Sequence, residues 1–317
     1  MASGREIFLK FLSGEPLPRP AYVPLLRGIT ARVGGVPHQE LTSDATIWAN
    51  SLAKTADLLD LDGVVAGFHF SLLAEACGCE LRWADDRPMV GAPPQSFESF
   101  SLEQGRLAQA LEAARRIFEV VKSQRGCVAA VNGPLTLAAQ LCRESDAEAG
   151  LAALKPVLVA VYEQFCKIRP DVLLLMESGP LVQGEITPAL KRLYFTLNKI
   201  ASYYNIATAL YVQDYRPERI AELASLKMDI YILGPDSTGG APLADAQWRL
   251  AEESLGIGLG LPPDDPESCR QILAEGGRLF CGEPRRNFFF TSLGPLCRWH
   301  DPQTQLELVQ QIRQIRR

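Results

Sequence analysis

The sequence predicts an α/β fold, a single (β/α)8 TIM barrel spanning residues 1–317 with an N-terminal helical extension. Eight short apolar runs carry the prediction: Ala21–Leu26, Asp62–Ala66, Cys127–Val131, Val172–Met176, Thr208–Val212, Asp229–Leu233, Gly256–Leu261 and Phe288–Leu293. Continuous apolar runs of this length read as parallel strands buried on both faces. Helix-length segments separate them, and 317 residues at 47% hydrophobic content suit one large core. An open doubly wound sheet uses the same alternation, and eight units favour closure. In a barrel the active site lies at the C-terminal strand ends. The residues following the runs are therefore the candidates: Arg27, His69, Asn132, Glu177, Gln213–Asp214, Asp236, Asp264 and Gly294–Pro295.

The helices follow in order. Ile7, Phe8, Phe11 and Leu12 space a short amphipathic N-terminal helix. Ser43–Leu59 opens on a cap residue and carries Ile47, Trp48, Leu52, Ala56 and Leu59 at helical spacing. Leu102–Ser123, Asp146–Lys167 and Pro188–Tyr204 are further amphipathic stretches. Pro217–Ser225 and Pro266–Glu275 begin on proline, which suits a first turn. Asp301–Arg317 closes the chain with basic residues at its C-terminal end, complementing the helix dipole. Leu81–Phe100, with Pro88, Gly91, Pro93 and Pro94, reads as an excursion large enough to cover the barrel mouth. The polar stretch Phe280–Asn287 reads as the loop entering the eighth strand, on the stability face.

A net charge of −5 argues against nucleic-acid and anionic-membrane partners, which need a basic face. Eight cysteines in a chain this long do not form a disulfide framework and read as buried thiols. The N-terminus lacks a signal peptide's apolar region, and no run approaches the ~18 apolar residues a membrane span needs. A cytoplasmic location is expected, with a small-molecule substrate and a second copy of the chain as a candidate partner.

Four blocks carry a family resemblance. Pro20–Arg32 contains P-A-Y-V-P-L-L-R-G-I-T-A-R, Asp62–Leu81 reads DGVVAGFHFSLLAEACGCEL, Val131–Leu141 reads VNGPLTLAAQL, and Ser292–Leu308 forms the end. In this order they resemble the uroporphyrinogen decarboxylase superfamily, barrels that include the haem-pathway decarboxylase and zinc- or corrinoid-linked methyltransferases. The A-E-A-x-G-x-E part of the second block (Ala74 to Glu80) is most similar to the methyltransferase branch. The resemblance places Arg27 and Arg32 on carboxylate-gripping arginines. Met176–Gly179 falls where the decarboxylase has an acid–serine pair. His69 falls on the decarboxylase's aspartate, Gln140 on its tyrosine, and Pro295 on its late histidine. An imidazole cannot replace a carboxylate facing a cationic protonated pyrrole. The methyl-thiol branch holds zinc with H-x-C after strand five and a late cysteine. Here that position reads Tyr211–Val212–Gln213, and Cys297 lies near the third.

The resemblance therefore implies a corrinoid-dependent methyltransferase that moves a methyl group from a methoxyl- or methylamine-type donor to a corrinoid protein. The alternatives are a decarboxylase of a tetrapyrrole or related carboxylated substrate, which needs no cofactor, and a non-catalytic tetrapyrrole- or corrinoid-binding barrel. His69 is a general acid or base candidate, since its unperturbed pKa of about 6.5 suits neutral chemistry. Glu177 is the other catalytic candidate. Arg27 and Arg32 are bidentate anion binders, and Gln140 and Gln213 can orient but not protonate substrate. Asp214 and Asp236 are ligands or orienting carboxylates, with helix capping the alternative reading. If zinc is bound, His69, Glu177 and Cys297 are its candidate ligands.

Overall fold

The computed structural model describes residues 2–84, 87–92, 100–142, 147–240, 244–282 and 286–316. Its strands are β1 (Gly63–Ala66), β2 (Leu81–Ala84), β3 (Arg87–Val90), β4 (Gly126–Asn132), β5 (Val172–Glu177), β6 (Ala207–Val212), β7 (Ile230–Leu233), β8 (Gly256–Leu261) and β9 (Phe288–Ser292). Seven form one parallel sheet in the order β1-β4-β5-β6-β7-β8-β9. The remaining two, β2 and β3, make an antiparallel hairpin inside the predicted excursion. The parts of that excursion at 85–86 and 93–99 lie outside the described residues.

The predicted first strand is a departure with a clear cause. Ala21–Leu26 is extended and lies between β9 and β1, but it forms only isolated bridges, Tyr22 to Phe290 and Leu26 to Leu296. Phe290 N donates to Ala21 O at 2.8 Å, Val23 N donates to Phe290 O at 2.9 Å, and Asp62 N donates to Tyr22 O at 3.2 Å. These bonds close the sheet into a barrel. Proline at 24 has no N–H and interrupts the ladder, and the next donor, Leu25 N, turns to Ser292 Oγ at 3.0 Å.

Three aspartates fasten the floor of the barrel. Asp62 accepts from Tyr22 N at 2.9 Å, Asp171 from Cys127 N at 2.8 Å, and Asp229 from Thr208 N at 2.7 Å. Their own carbonyls accept from Gly126 N, Ala207 N and Leu255 N in the next strand round. Each residue thus ties the strand it starts to both neighbours. Asp62 also holds Arg19 in a bidentate pair at 2.6 and 2.7 Å, and Asp171 pairs with Arg5.

The N-terminal extension is the helix Gly4–Ser13, capped by Ser3 and ended by Gly14 in the left-handed region (φ 70°). It drives Phe8 and Phe11 into the barrel floor. A Cβ on Gly126 would lie 2.2 Å from Phe8, and one on Gly256 would lie 2.8 Å from Phe11, so glycine is required where the plug meets the strands. Phe8 and alternate strand residues, among them Val65, Val128, Val172 and Leu174, enclose a cavity of about 20 Å³. That alternation fixes which residues face the lumen.

Helix boundaries follow the capping chemistry. The Ser43–Leu59 stretch starts at Ala45 because Asp44, not Ser43, accepts from Thr46 N and Ile47 N. The long stretches become Gly105–Val121, Ala147–Lys167 and Pro188–Tyr203. The helix from Pro266 runs on to Cys281, absorbing Phe280, which the sequence reading assigned to a loop. Pro217–Ser225 breaks into 3-10 turns around a four-residue α-helix, Ile220–Leu223. Among the described residues no helix is long and apolar enough to cross a membrane.

Removing the Asp62 carboxylate orphans Tyr22 N and the Arg19 guanidinium together. Asp62→Ala is expected to cost about 3–5 kcal/mol in urea unfolding. Glu253→Ala, at the exposed pair with Lys227 (3.2 Å), is expected to change stability by less than about 1 kcal/mol. Equal effects would show that Asp62 is not a floor clamp.

Candidate functional site

Gly67, at φ 83°, turns the chain out of β1 and leads into Phe68–His69–Phe70. His69 is fully buried, and its Nδ1 lies 3.0 Å from Ser71 Oγ. Its Nε2 is buried and, among the described residues, has no hydrogen-bond partner. The carbonyl of Phe70 accepts from two side-chain amides, Asn132 Nδ2 at the end of β4 and Gln140 Nε2 at 2.7 Å. Those bonds fix both amides with nitrogen toward Phe70, leaving Asn132 Oδ1 and Gln140 Oε1 buried without partners among the described residues. Unsatisfied buried polar atoms are rare and costly in a native fold. Three of them lie close to one peptide, which makes this the candidate site.

Positive charge borders this group. Arg106 pairs with Glu75 and lies 5.2 Å over the ring of Trp83, which also meets His38 edge-on at 5.8 Å. Burial first, then His38, Arg106 and Arg27, hold the His69 pKa well below its ordinary 6.5. The imidazole is therefore neutral at pH 7. Among the described residues the Ser71 hydroxyl has no other acceptor, so it donates to Nδ1 of His69, which leaves the ring hydrogen on Nε2.

Glu177 lies elsewhere. Val172 and Leu174 face the lumen, so Met176 does too, and Glu177 points out toward the helices. Its Oε1 accepts from Leu135 N at 3.0 Å and from the Tyr194 hydroxyl. Its Oε2 accepts from Thr136 N at 2.7 Å and Thr136 Oγ1 at 2.8 Å. The carboxylate thus caps helix Pro134–Leu141, where proline starts the first turn. A Cβ at Gly133 would lie 2.2 Å from Glu177 Cδ. The G-P-L-T sequence is explained residue by residue: glycine makes room, proline starts the helix, and threonine supplies two donors. Burial raises the Glu177 pKa, while hydrogen bonds from Tyr194, Leu135 and Thr136 lower it.

A second polar group spans the mouth three strands round from His69. The Tyr211 hydroxyl, 3.0 Å from both Gln213 Oε1 and Leu293 O, shares its proton between them. Gln213 Nε2 donates to Asp214 at 3.3 Å, and Asp214, in the left-handed region at φ 63°, accepts from Gly179 N at 2.8 Å. Tyr211 fits because residue 234 is glycine, where a Cβ would lie 2.3 Å from the tyrosine oxygen. Burial pushes the Tyr211 phenol far above its usual range, so it stays protonated.

The other predicted residues hold loops. Asp236 accepts from Thr238 N, Thr238 Oγ1 and Gly240 N, so it shapes its own turn. Arg32 grips His300 O at 2.8 Å and Asp301 at 3.1 Å, fastening the segment after β9. Cys297 donates its thiol to Pro295 O and its N–H to His300 Nδ1, and His300 Nε2 meets Asp264 at 3.1 Å. The structure brings Arg27, His69 and Gln140 together and Gln213 with Asp214. It does not bring His69, Glu177 and Cys297 together. Among the described residues no three His, Cys, Asp or Glu could hold a metal ion. Sequence reasoning left Asn132 unassigned and missed Arg106, Glu75, His38 and Trp83. Arg106 gave no signal, since it starts an ordinary amphipathic helix.

A family profile described as Uroporphyrinogen decarboxylase (URO-D) matches residues 3–161. By structure the chain is similar to a methyltransferase from Methanosarcina mazei, at 19% identity over 99% of both chains and a TM-score of 0.76. It is less similar to a B12-independent methionine synthase from a Shewanella species (11% identity, 92% and 96% covered, TM-score 0.57). A GH18 chitinase from Pseudoalteromonas aurantia follows at 11% identity, 92% and 99% covered and TM-score 0.51. At such identities the likeness is one of fold. No curated protein matches by sequence.

Two measurements test the site. Glu177→Ala leaves two helix N–H groups and the Tyr194 hydroxyl without an acceptor, while Thr136 Oγ1 keeps the Met176 carbonyl at 3.1 Å, and is expected to cost about 3–5 kcal/mol in urea unfolding; a loss below about 1 kcal/mol would deny the capping role. Below the ordinary His69 pKa of 6.5 the unfolded chain gains a proton that the folded chain does not. Stability therefore falls as pH drops below about 6.5. Between pH 6.5 and 5.5 the wild type should lose about 1 kcal/mol more than His69→Gln, and parallel losses would place an ordinary histidine at 69.

Proposed function

The chain belongs to the uroporphyrinogen decarboxylase family, whose profile matches half of it, and on that footing we propose that it is a methyltransferase acting on a small methylated donor. The acceptor in this reading is a corrinoid carried by a partner protein and is therefore a co-substrate. The observation that carries the reading is His69 Nε2, buried without a partner in the barrel mouth, with Arg27 near enough to oppose a positive charge on the ring. The methyltransferase fold of the Methanosarcina protein supports it.

The chemistry follows from what these side chains offer. When the methyl carbon departs, the electron pair of the broken bond stays on the donor's heteroatom. That atom must be stabilised where charge develops. His69, neutral and carrying its hydrogen on Nε2, donates a hydrogen bond there. Ser71 fixes the ring and its tautomer. Arg27 anchors an anionic group of the donor, and Gln140 and Asn132 orient it. Glu177 is a positioning residue: by capping helix Pro134–Leu141 it holds Gln140 against Phe70. Gln213 and Asp214 shape the far wall. The corrinoid, when delivered, supplies the nucleophile that takes the methyl group.

Zinc does not fit the residues at the corresponding positions. The Tyr211 hydroxyl is engaged by Gln213 and Leu293, an amide is a neutral donor, and the Cys297 thiol is turned to Pro295 O. Activation of a thiol acceptor is therefore not what this mouth offers, and demethylation of a donor is. Decarboxylation is the weaker reading, because Arg32, the second arginine of a carboxylate grip, is engaged with His300 and Asp301.

Incubation with a methoxylated aromatic acid and cob(I)alamin should consume the cob(I)alamin absorbance. Conversion of uroporphyrinogen to coproporphyrinogen instead would replace this reading with decarboxylation, and tetrapyrrole binding without turnover would replace it with a binding barrel. His69→Ala is expected to lower turnover by about 100-fold or more with an unchanged circular dichroism spectrum. Unaltered kinetics would remove His69 from the site.

A further inference from the structure

Resting on the methyl-transfer reading, we infer that the mouth beside His69 selects a neutral or anionic oxygen-linked methyl donor bearing an O–H or N–H group, and rejects quaternary methylammonium donors. Two sets of observations carry this.

The first is the hydrogen-bonding inventory around Phe70. Asn132 and Gln140 cannot flip their amides, because both nitrogens are held by the one Phe70 carbonyl. What they leave for a ligand is two carbonyl oxygens, Oδ1 and Oε1, both buried and without partners. Amide oxygens only accept. A ligand that satisfies them must bring hydrogen-bond donors of its own. His69 Nε2 contributes the complementary feature, one N–H aimed at an acceptor such as an ether oxygen. The site thus asks for a molecule with an oxygen to receive one bond and a hydroxyl or N–H to give others. A quaternary methylammonium group offers neither.

The second is charge. Arg27, Arg106 and His38 all oppose a positive charge at His69. Glu75 offsets Arg106 through its Oε1, and its Oε2 is buried without a hydrogen-bond partner among the described residues. Aromatic faces could in principle hold a quaternary cation. Here the face of Trp83 is already covered by Arg106 at 5.2 Å, and Phe68 and Phe70 pack edge-to-face on each other with centroids 4.8 Å apart. A quaternary cation would meet Arg27 and Arg106, with the Trp83 face already taken. An anionic donor would meet Arg27.

The test compares three probes of similar size by calorimetry: 4-hydroxy-3-methoxybenzoate, 3-methoxybenzoate and phenyltrimethylammonium. The hydroxylated acid is expected to bind about 10-fold or more tightly than its deoxy analogue, one hydrogen bond's worth of discrimination, and phenyltrimethylammonium more weakly than either. In Gln140→Leu, and in Gln140→Met should the first variant misfold, the preference for the hydroxyl should shrink to about 2-fold. Equal affinity for the two acids, no binding of either, tighter binding of the cation, or a preference unmoved by both variants would overturn the inference. A cob(I)alamin assay on the same probes separates the two claims. Demethylation of phenyltrimethylammonium alone would keep methyl transfer and sink the selectivity. The predicted binding order with no transfer would sink the reaction and keep the chemistry of the site.

Discussion

Everything at the mouth depends on a constraint at the floor: eight staves must be kept in register while one of them, Ala21–Leu26, has too few backbone bonds to hold itself. Asp62, Asp171 and Asp229 meet that constraint by joining each strand they begin to the strands on either side. A carboxylate buried among backbone donors is costly to desolvate, and it is tolerated because the lone pairs are filled, by Arg19 at Asp62 and by Arg5 at Asp171. The register they set carries upward along each strand. It decides that Leu174 faces in and Glu177 out, and that Asn132 ends its strand beside the turn that carries His69.

The mouth divides into two kinds of polar group. On one side are closed systems, in which every donor has an acceptor: Glu177 over its helix, Asp236 in its turn, Arg32 on the final segment. On the other is an open system round Phe70, in which the protein's own geometry leaves atoms unsatisfied. Strand-end position alone does not distinguish them. The distinction lies in whether a side chain's hydrogen bonds close within the protein, and by that measure His69, Asn132 and Gln140 belong together while Glu177 serves them from behind.

Much of the fold was legible. The apolar runs located the sheet strands to within a residue or two, because strands buried on both faces need little else from sequence. Pro24 stood in plain view as a reason for the first run not to form a regular ladder. The aspartates that open the second and sixth runs and precede the fourth were visible too, but that their carboxylates reach back to the preceding strand is a tertiary fact. Glu177 was misplaced for a related reason. When every residue of a run is buried, the pattern hides which alternate set faces the lumen. The Phe70 cluster was illegible, since Gln140 and the carbonyl it holds are 70 positions apart and no local period connects them. Trp83, over which Arg106 lies, sits on a hairpin strand that the prolines of the Leu81–Phe100 excursion disguised.

Tyr211 and Gly234 carry a consequence for how such a barrel can change. The phenol occupies the space a side chain at 234 would need, and its hydroxyl serves both Gln213 and the Leu293 carbonyl. Shortening Tyr211 alone opens a hole and strands two polar partners, while enlarging Gly234 alone drives the ring out. Neither step is tolerable without the other, so the two positions form a ratchet. A coordinating side chain can therefore be introduced at residue 211 only by crossing a less stable intermediate, and chemistry at that wall is more easily remodelled by altering the open side of the mouth.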